Sequence, residues 1–280
     1  MRFWLRSRKR NTRHDFGYVV GVTMIQDLLE KYREGEISLE DAEKSLLHLL
    51  YEQGEDFLLD LHRNRRLGFP EVVLAEGKTT EQVITIVGNF LKTLNRAFVS
   101  SVDQEKEQLL RQRYSHAMIT MAGRLMVIKT EEVRSDVEGV VGIITAGTAD
   151  VPYAEECGLM LQEVGAEVLR AYDFGVSGVH RPFLGIQHTE RADILVVFAG
   201  MDGILPTMIA SLTDKPLIAV PTPIGYGFRG GGETALSVML QSCVPGILVV
   251  NIGNSIGAAA AAVRLLRALH RSRNEDSLPA

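Results

Sequence analysis

The sequence has little cysteine or tryptophan and no long apolar run. Its 280 residues include two cysteines, Cys157 and Cys243, and one tryptophan. Two cysteines so far apart cannot form a disulfide framework, and no Cys-x-x-Cys or paired-His spacing identifies a metal site. The apolar stretches have strand length, well short of the roughly 20 residues that a membrane span needs. The sequence therefore predicts neither a disulfide-rich secreted domain nor a membrane protein.

The charge balance does not favour nucleic acid as a partner. The net charge is −5 and the isoelectric point is near 5.9. Positive charge is concentrated at the start of the chain, in Arg2, Arg6, Arg8, Lys9, Arg10 and Arg13. We expect residues 1–21 to be a solvated, disordered tail, with a membrane or nucleic-acid arm as the alternative. No apolar segment follows these charges as in a secretory signal, so we expect a cytoplasmic protein.

The first half of the chain predicts a small α+β domain over residues 22–131. Ser38 and Asp41 have capping-box spacing before a helix that runs to Leu50, and Thr79 or Thr80 caps another that runs to Leu94. Strands are predicted at residues 71–74, 97–102 and 124–128, with a charged helix at 103–113. A polar linker follows at residues 132–138, and residues 271–280 are expected to form a flexible tail.

The second half has the pattern of a parallel sheet. Continuous apolar runs occur at residues 140–144, 194–198, 217–220 and 247–250, with a weaker strand at 167–171 and helix-length segments between them. Strands that are apolar on both sides are typical of sheets covered on both faces. We therefore predict an α/β fold over residues 139–270, a doubly wound parallel sheet of flavodoxin-like order.

Loops rich in glycine and hydroxyl residues follow the predicted strands. Ligands of such sheets bind outside the carboxyl ends of the strands, where glycine lets backbone N–H groups approach an anion. Any one loop alone could be an ordinary tight turn, but together they predict a binding crevice. The residues expected to bind substrate there are Gly147, Thr148, Ala149, Asp150, Gly175, His180, Arg181, Gly200, Met201, Gly203, Leu205, Pro206, Pro221, Gly225, Tyr226, Gly227 and Asn251.

Three sequence features in or near these loops have competing explanations. Gly225, Gly227 and Gly230 match the spacing G-x-G-x-x-G, but they begin too far beyond the strand for a dinucleotide fingerprint and suit a mobile loop better. Asp202 could be a helix N-cap, and Cys243 alone is more typical of a packing residue. Whether Asp202 and Cys243 have a chemical role has to be judged from the other motifs in this half of the chain.

That pattern resembles a known family. The segments AGTAD, GVHR, AGMDGILP, VPTPIGYG, SCVPG, VVNIGN and GAAAAA resemble LarB, the carboxylase/hydrolase family of nickel-pincer nucleotide biosynthesis. The same half is similar to PurE, the aminoimidazole ribonucleotide carboxylases and mutases. The stretch from Gly68 to Val73, with Gly77, Lys78 and Thr79, also looks like LarB and is absent from PurE. The resemblance covers about residues 26–269.

The resemblance implies a reaction on nicotinic acid adenine dinucleotide. The pyridinium ring would be carboxylated at C5 with CO₂ or bicarbonate, Mg²⁺ assisting and no tightly bound cofactor, and the phosphoanhydride would be hydrolysed to release AMP. Cys243 matches the nucleophile that adds to the ring, and Asp202 matches an acid/base position that can be Glu in the family. The resemblance also implies a homo-octamer and downstream sulfur- and nickel-inserting enzymes. Glu71 and Lys78 would contribute if the first domain folds over the crevice.

Two other functions stay open at this stage. A PurE-type enzyme would act on an aminoimidazole ribonucleotide, but PurE carries a functional His in the segment that here spans residues 201–206 and contains none. A non-catalytic nucleotide-binding regulator, of the kind described as a circadian phase modifier, would not need Cys243, which is present.

Overall fold

The computed structural model describes residues 26–50, 52–53, 58–59, 63, 67–133 and 137–276. The predicted basic tail of residues 1–21 lies outside this part of the chain, as do residues 277–280 of the second tail and 134–136 of the linker. The chain divides into two compact units, one ending at Glu71 and the other beginning at Val72. The domain boundaries predicted from the sequence therefore stay predictions.

The described part of the first unit is mainly helical. Helix α1 covers residues 26–33 and is followed by Gly35, which adopts a φ of 75°. Helix α2 spans Leu39–Leu50, and Ser38 caps it as predicted, because its Oγ accepts the backbone N–H of Asp41 at 3.0 Å. Two short strands, β1 (Glu52–Gln53) and β2 (Leu58–Leu59), pair in antiparallel fashion.

The second unit begins with a four-stranded sheet of order β3-β4-β6-β5. Its elements in chain order are β3 (Val73–Leu74), α3 (Thr80–Leu94), β4 (Arg96–Ser100), α4 (Gln104–Arg113), β5 (Met118–Ala122) and β6 (Leu125–Lys129). Thr79 and Gln82 form the capping box that starts α3. Strand β5 was not predicted, because none of its residues is fully buried and it lacks a continuous apolar run.

A five-stranded, all-parallel sheet forms the rest of the second unit. Its elements are β7 (Val140–Thr145), α5 (Val151–Glu163), β8 (Glu167–Ala171), α6 (Arg181–His188), β9 (Ile194–Ala199), α7 (Leu205–Ala210), β10 (Leu217–Pro221), α8 (Glu233–Leu240), β11 (Ile247–Val249) and α9 (Ser255–Asp276). The strand order β11-β10-β9-β7-β8 is flavodoxin-like, so the predicted fold class is confirmed. The central strands β9 and β10 are buried along their whole length.

Two helices show how this sheet is covered. In α9 the small residues Ala258, Ala259 and Ala262 are fully buried, so this helix packs closely inside its own unit. In α5 the buried residues are Ala154, Cys157, Gly158, Leu159, Met160 and Leu161, which do not lie on one stripe. A helix buried on several sides needs cover on each of them. Within the part of the chain that the structure describes, no helix is long and apolar enough to cross a membrane.

Candidate active site

The topological switch point of the parallel sheet lies between β7 and β9. These strands are neighbours, but their connections leave to opposite sides, so the loops at their carboxyl ends separate and open a crevice. A short 3-10 turn, Thr148–Asp150, follows β7 and leads directly into α5. The loop from Gly200 to Ile204 follows β9. The predicted binding loops therefore do meet at this edge of the sheet.

Asp150 lies under this crevice and joins its loops. The side chain is 3% exposed. Its Oδ2 accepts the backbone N–H of Gly147 at 2.9 Å, and its Oδ1 accepts the hydroxyl of Thr222, which follows β10, at 2.5 Å. The backbone N–H of Gly200, which follows β9, also bonds to this carboxyl. We call these four residues the Asp150 network, since one carboxylate connects the ends of three strands.

Burial raises the pKa of the Asp150 carboxyl above its usual value, although its three hydrogen bonds favour the charged form. The loss of hydration therefore has a larger effect on this pKa than the hydrogen bonds. The sequence predicted that Asp150 binds substrate. In the structure its carboxylate instead accepts hydrogen bonds from groups of the protein itself. The exposed neighbours Thr148 and Ala149 are the residues of this turn that face solvent.

Close backbone contacts set the distance between the loops after β9 and β10. A side chain at Gly200 would place its Cβ 2.2 Å from the carbonyl oxygen of Ile224. The N–H of Met201 donates to that same carbonyl at 2.7 Å. Gly203 adopts a φ of 64°, and a Cβ there would lie 2.6 Å from the Cα of Ala235 in α8. Glycine is therefore needed at both positions for steric reasons.

Asp202 lies in an open pocket formed by these two loops. The pocket has a volume of about 160 Å³. Sites for whole drug-sized ligands usually measure about 300–1,000 Å³, so this space suits a single ring rather than a dinucleotide. Asp202 is exposed, and its Oδ1 accepts the N–H of Ile204 at 3.3 Å. The residues lining the pocket are Met201, Asp202, Ile224, Gly225, Tyr226, Phe228, Arg229, Gly230, Gly232 and Thr234.

Another part of the pocket wall is the loop of residues 222–232, which we call the glycine-rich loop. Tyr226 is 82% exposed and Phe228 is 87% exposed, unusual values for large aromatic side chains. Arg229 lies over the Phe228 ring, with its guanidinium carbon 5.6 Å from the ring centroid. This loop offers aromatic faces and a cation to whatever occupies the pocket.

Arg181 and His180 belong to the loop between β8 and α6, and neither lines the pocket. The Arg181 guanidinium pairs with the Asp173 carboxylate at 2.6 Å and also bonds to the carbonyl oxygen of Asp173 and to Ser177 Oγ. This arginine therefore organises its own loop. His180 is exposed at the start of α6. Gly175 connects this loop to the crevice, because a Cβ there would lie 2.5 Å from the carbonyl oxygen of Ala146.

Cys243 is not among the residues that line the pocket. Thr234 lines the pocket at the first turn of α8, whereas Cys243 follows the last turn of that eight-residue helix, which is about 12 Å long. Its neighbour Ser242 accepts a hydrogen bond from Thr207 of α7 at 2.9 Å. Cys243 is exposed, whereas Cys157 is buried inside α5, where desolvation raises the pKa of its thiol. In one protomer Asp202 therefore lines the pocket, whereas Cys243 does not.

The remaining predicted residues have mixed positions. Leu205, Pro206 and Pro221 are buried and support the loops, whereas Asn251 is exposed and accepts the N–H of Ile252 at 2.8 Å. Lys78 is half-buried in the turn before α3 and does not line the pocket. Glu71 ends the first compact unit. The position of these two residues leaves their predicted contribution to the site untested.

Sequence reasoning missed several residues that the structure brings to the site, three of them polar. Thr222 belongs to the Asp150 network, and Arg229 and Thr234 line the pocket. The available signal for Arg229 was its position between an aromatic residue and a glycine, in the loop after a strand predicted to be buried. Nothing in the local sequence could indicate Thr222, because its partner is 72 residues away.

Comparison with known proteins agrees with this architecture. Residues 51–131 match a family described as LarB/PurE-like N-terminal domain, and residues 140–278 match AIR carboxylase. An uncharacterized protein of Methanocaldococcus jannaschii is 36% identical over 255 residues, which are 88% of this chain and 98% of that protein. N5-carboxyaminoimidazole ribonucleotide mutases match the second half: that of M. jannaschii is 35% identical over 44% of this chain and 74% of its own length, and that of Pyrococcus horikoshii is 34% identical over 45% and 72%.

Proposed function

The chain belongs to the AIR carboxylase superfamily, in its LarB, PurE-like branch, and from this premise we propose that it carboxylates the pyridinium ring of nicotinic acid adenine dinucleotide. We further propose that it hydrolyses the phosphoanhydride, giving pyridinium-3,5-biscarboxylate mononucleotide and AMP. The observation that carries the proposal is the pocket itself. It has the size of one ring, and it combines a carboxylate, Asp202, with the exposed aromatic side chains of Tyr226 and Phe228.

A nucleophile is needed because a pyridinium ring is electron-poor and does not attack CO₂. In the proposed reaction the Cys243 thiolate adds to C4, which converts the ring into a dihydropyridine whose C5 is nucleophilic. C5 then bonds to CO₂, and Asp202 accepts the proton that C5 carried. Departure of the thiolate from C4 restores the aromatic ring. The net change replaces the C5 hydrogen by a carboxylate and releases one proton.

Asp202 lines the pocket of one protomer and Cys243 does not, which bears on how such a site could be assembled. Because Cys243 is exposed, it is free to approach the pocket of a second copy of the chain. We therefore propose that the active form is a homo-oligomer, an octamer by the resemblance to PurE, in which one copy supplies Asp202 and another supplies Cys243. Sulfur- and nickel-inserting enzymes would then use the product.

A Mg²⁺ ion would accompany the phosphates of the substrate. Mg²⁺ in proteins is usually held by one or two carboxylates together with substrate phosphates. Among the residues that the structure describes, there is no group of three or more His, Cys, Asp or Glu side chains placed to hold a metal. When bound, the ion would neutralise phosphate charge, while Asp202 and the glycine-rich loop position the ring.

The test is a direct assay of the full chain. The protein is incubated with nicotinic acid adenine dinucleotide, Mg²⁺ and isotope-labelled bicarbonate, and mass spectrometry is used to detect AMP and a labelled dicarboxylated mononucleotide. We expect both products from the wild type, and no labelled product from Cys243→Ala. The control Cys157→Ala removes the buried thiol and should retain carboxylation, at a cost of about 1 kcal/mol in unfolding free energy. Label incorporation by Cys243→Ala would contradict the covalent mechanism.

N5-carboxyaminoimidazole ribonucleotide mutase activity is the second candidate, favoured by the names of the relatives that match the second half. The segment from Met201 to Pro206 lacks histidine, which argues against it. Supplying the imidazole substrate in the same assay separates the two functions. If the protein converts the imidazole substrate but not the pyridinium dinucleotide, the mutase function replaces the main proposal.

A further inference from the structure

Arg229 is the cationic side chain that lines the pocket beside Asp202. Several other arginines of the second unit are paired with a carboxylate: Arg96 with Glu163, Arg170 with Glu155, Arg181 with Asp173 and Arg191 with Glu167. Within the described part of the chain no carboxylate pairs with Arg229, whose observed side-chain contact is the Phe228 ring. A guanidinium with five donors is therefore available to a ligand in this pocket.

The backbone at Arg229 is held in a conformation that favours glycine. Its φ is 50°, and Met201, also in the pocket lining, has a φ of 46°. The carbonyl oxygen of Arg229 accepts two hydrogen bonds from Thr234, one from the hydroxyl at 3.0 Å and one from the backbone N–H at 3.3 Å. The left-handed region costs a residue with a side chain roughly 1–2 kcal/mol. An arginine in this position, next to three glycines, is thus kept at a conformational cost, as is typical of functional sites.

Charge in the pocket determines which ring it can accept. Asp202 repels an anion, so a ring that carries a carboxylate would be disfavoured there without a cation opposite. A guanidinium binds a carboxylate through two parallel hydrogen bonds, and it cannot bind a primary amide in the same charge-assisted way. The exposed faces of Tyr226 and Phe228 are available to the ring.

We propose that Arg229 recognises the ring carboxylate of the substrate and so makes the enzyme select a nicotinate over a nicotinamide. This inference rests on the proposed function, because that function supplies the pyridinium ring. Arg181, which the sequence placed among the expected substrate-binding residues, does not fill this role, because it pairs with Asp173 and lies outside the pocket lining.

The test measures selectivity between two ligands that differ in one group. Binding of nicotinic acid mononucleotide and nicotinamide mononucleotide is measured by calorimetry without bicarbonate; neither has an anhydride to hydrolyse. We expect the wild type to bind the acid about 10- to 100-fold more tightly, the range of one charge-assisted bidentate contact. The Arg229→Gln variant should lose this preference because it binds the acid more weakly and the amide as tightly as the wild type does. The Arg229→Lys variant should keep part of the preference. The control Arg264→Gln, at an exposed position, should keep all of it.

Each result decides the proposal. An Arg229→Gln protein that keeps the preference, even if both mononucleotides bind more weakly than to the wild type, would overturn the role of Arg229, and so would one that loses the preference by binding the nicotinamide compound more tightly. A second pair, aminoimidazole ribonucleotide and its 4-carboxylated form, separates this failure from that of the proposed function. If the wild type binds neither pyridinium compound but prefers the carboxylated imidazole in an Arg229-dependent way, the role of Arg229 holds for that ring and the pyridinium function fails. If no ligand of either pair binds, both proposals fail.

Discussion

Two aspartates at the same edge of the parallel sheet have opposite environments. Asp150 is buried, and backbone and hydroxyl donors from three loops bond to its carboxyl. Asp202 is exposed in the pocket, with one bond to the backbone of its own turn. A carboxylate whose oxygens are occupied by protein donors can hold loops in place but is poorly available to substrate. The difference indicates that Asp150 holds the loops in place, whereas the Asp202 carboxylate is accessible to a ligand in the pocket, as its proposed acid/base role requires.

The strongest test of this difference compares one variant at each aspartate. Asp202→Asn should reduce carboxylation by about 10²- to 10⁴-fold, the usual contribution of a general acid or base, with little change in unfolding free energy. Asp150→Ala leaves buried donors without an acceptor, so we expect a loss of about 2–3 kcal/mol in unfolding free energy. Steady-state rates and urea unfolding are measured on both proteins. A stable Asp150→Ala protein, or an active Asp202→Asn protein, would contradict these separate roles.

A smaller effect is expected from a matched pair of glycine substitutions. Gly200→Ala drives a Cβ into the carbonyl oxygen of Ile224, so it should cost about 2–3 kcal/mol and displace Asp202. Gly227→Ala meets no atom within 4 Å, and only its φ of 83° opposes the change, so about 1 kcal/mol is expected. Urea unfolding of the two variants gives both costs. Equal losses would mean that the loops are not held at the distance seen here.

The smallest expected effect is a dependence of stability on pH. Because burial raises the pKa of Asp150 in the folded protein above the ordinary value of 3.8, the folded state binds this proton more tightly than the unfolded state. The resulting stabilisation is complete below the unfolded pKa and is lost as pH rises through the folded one. Relative to Asp150→Asn, which does not titrate, the wild type should therefore lose unfolding free energy with rising pH across that window.

Urea unfolding of the two proteins in a series of buffers from about pH 4 to pH 8 measures this difference. A constant difference across the series would show that burial does not raise the pKa of Asp150, and a difference of the opposite sign would show that the hydrogen bonds outweigh burial.

The sequence allowed most of the fold to be predicted, because the physical signals were local. Apolar runs located four of the five parallel strands, and capping residues such as Ser38 and Thr79 located helix starts. Strand β5 was missed because its residues are exposed or half-buried in a hairpin. Helix-length segments alternating with apolar runs predicted the parallel sheet. The composition of the loops after the strands then predicted a crevice at the carboxyl ends of those strands.

The site was predictable only in part, because its contacts join distant segments. The motif around Asp202 located one wall of the pocket, but the bond from Thr222 to Asp150 and the contact of Gly200 with Ile224 depend on how the strands assemble. Arg181 was predicted to bind substrate and is paired with Asp173 in the structure, whereas Arg229 was not among the predicted residues and lines the pocket. The absence of Cys243 from the pocket lining could not be predicted, because it depends on where α8 and the loops lie after the strands assemble.

Because α5 is buried on several sides, the choice of boundary matters when a fragment of this protein is expressed. The backbone N–H of Arg124, in the turn between β5 and β6, donates to Glu156 at 2.9 Å, and Arg96 and Lys129 contact Glu163 at the other end of the helix. A fragment that starts at residue 137 would keep every strand of the parallel sheet yet expose a face of α5 that is buried in the whole chain. An expression boundary is better placed before Val72, where the compact unit begins.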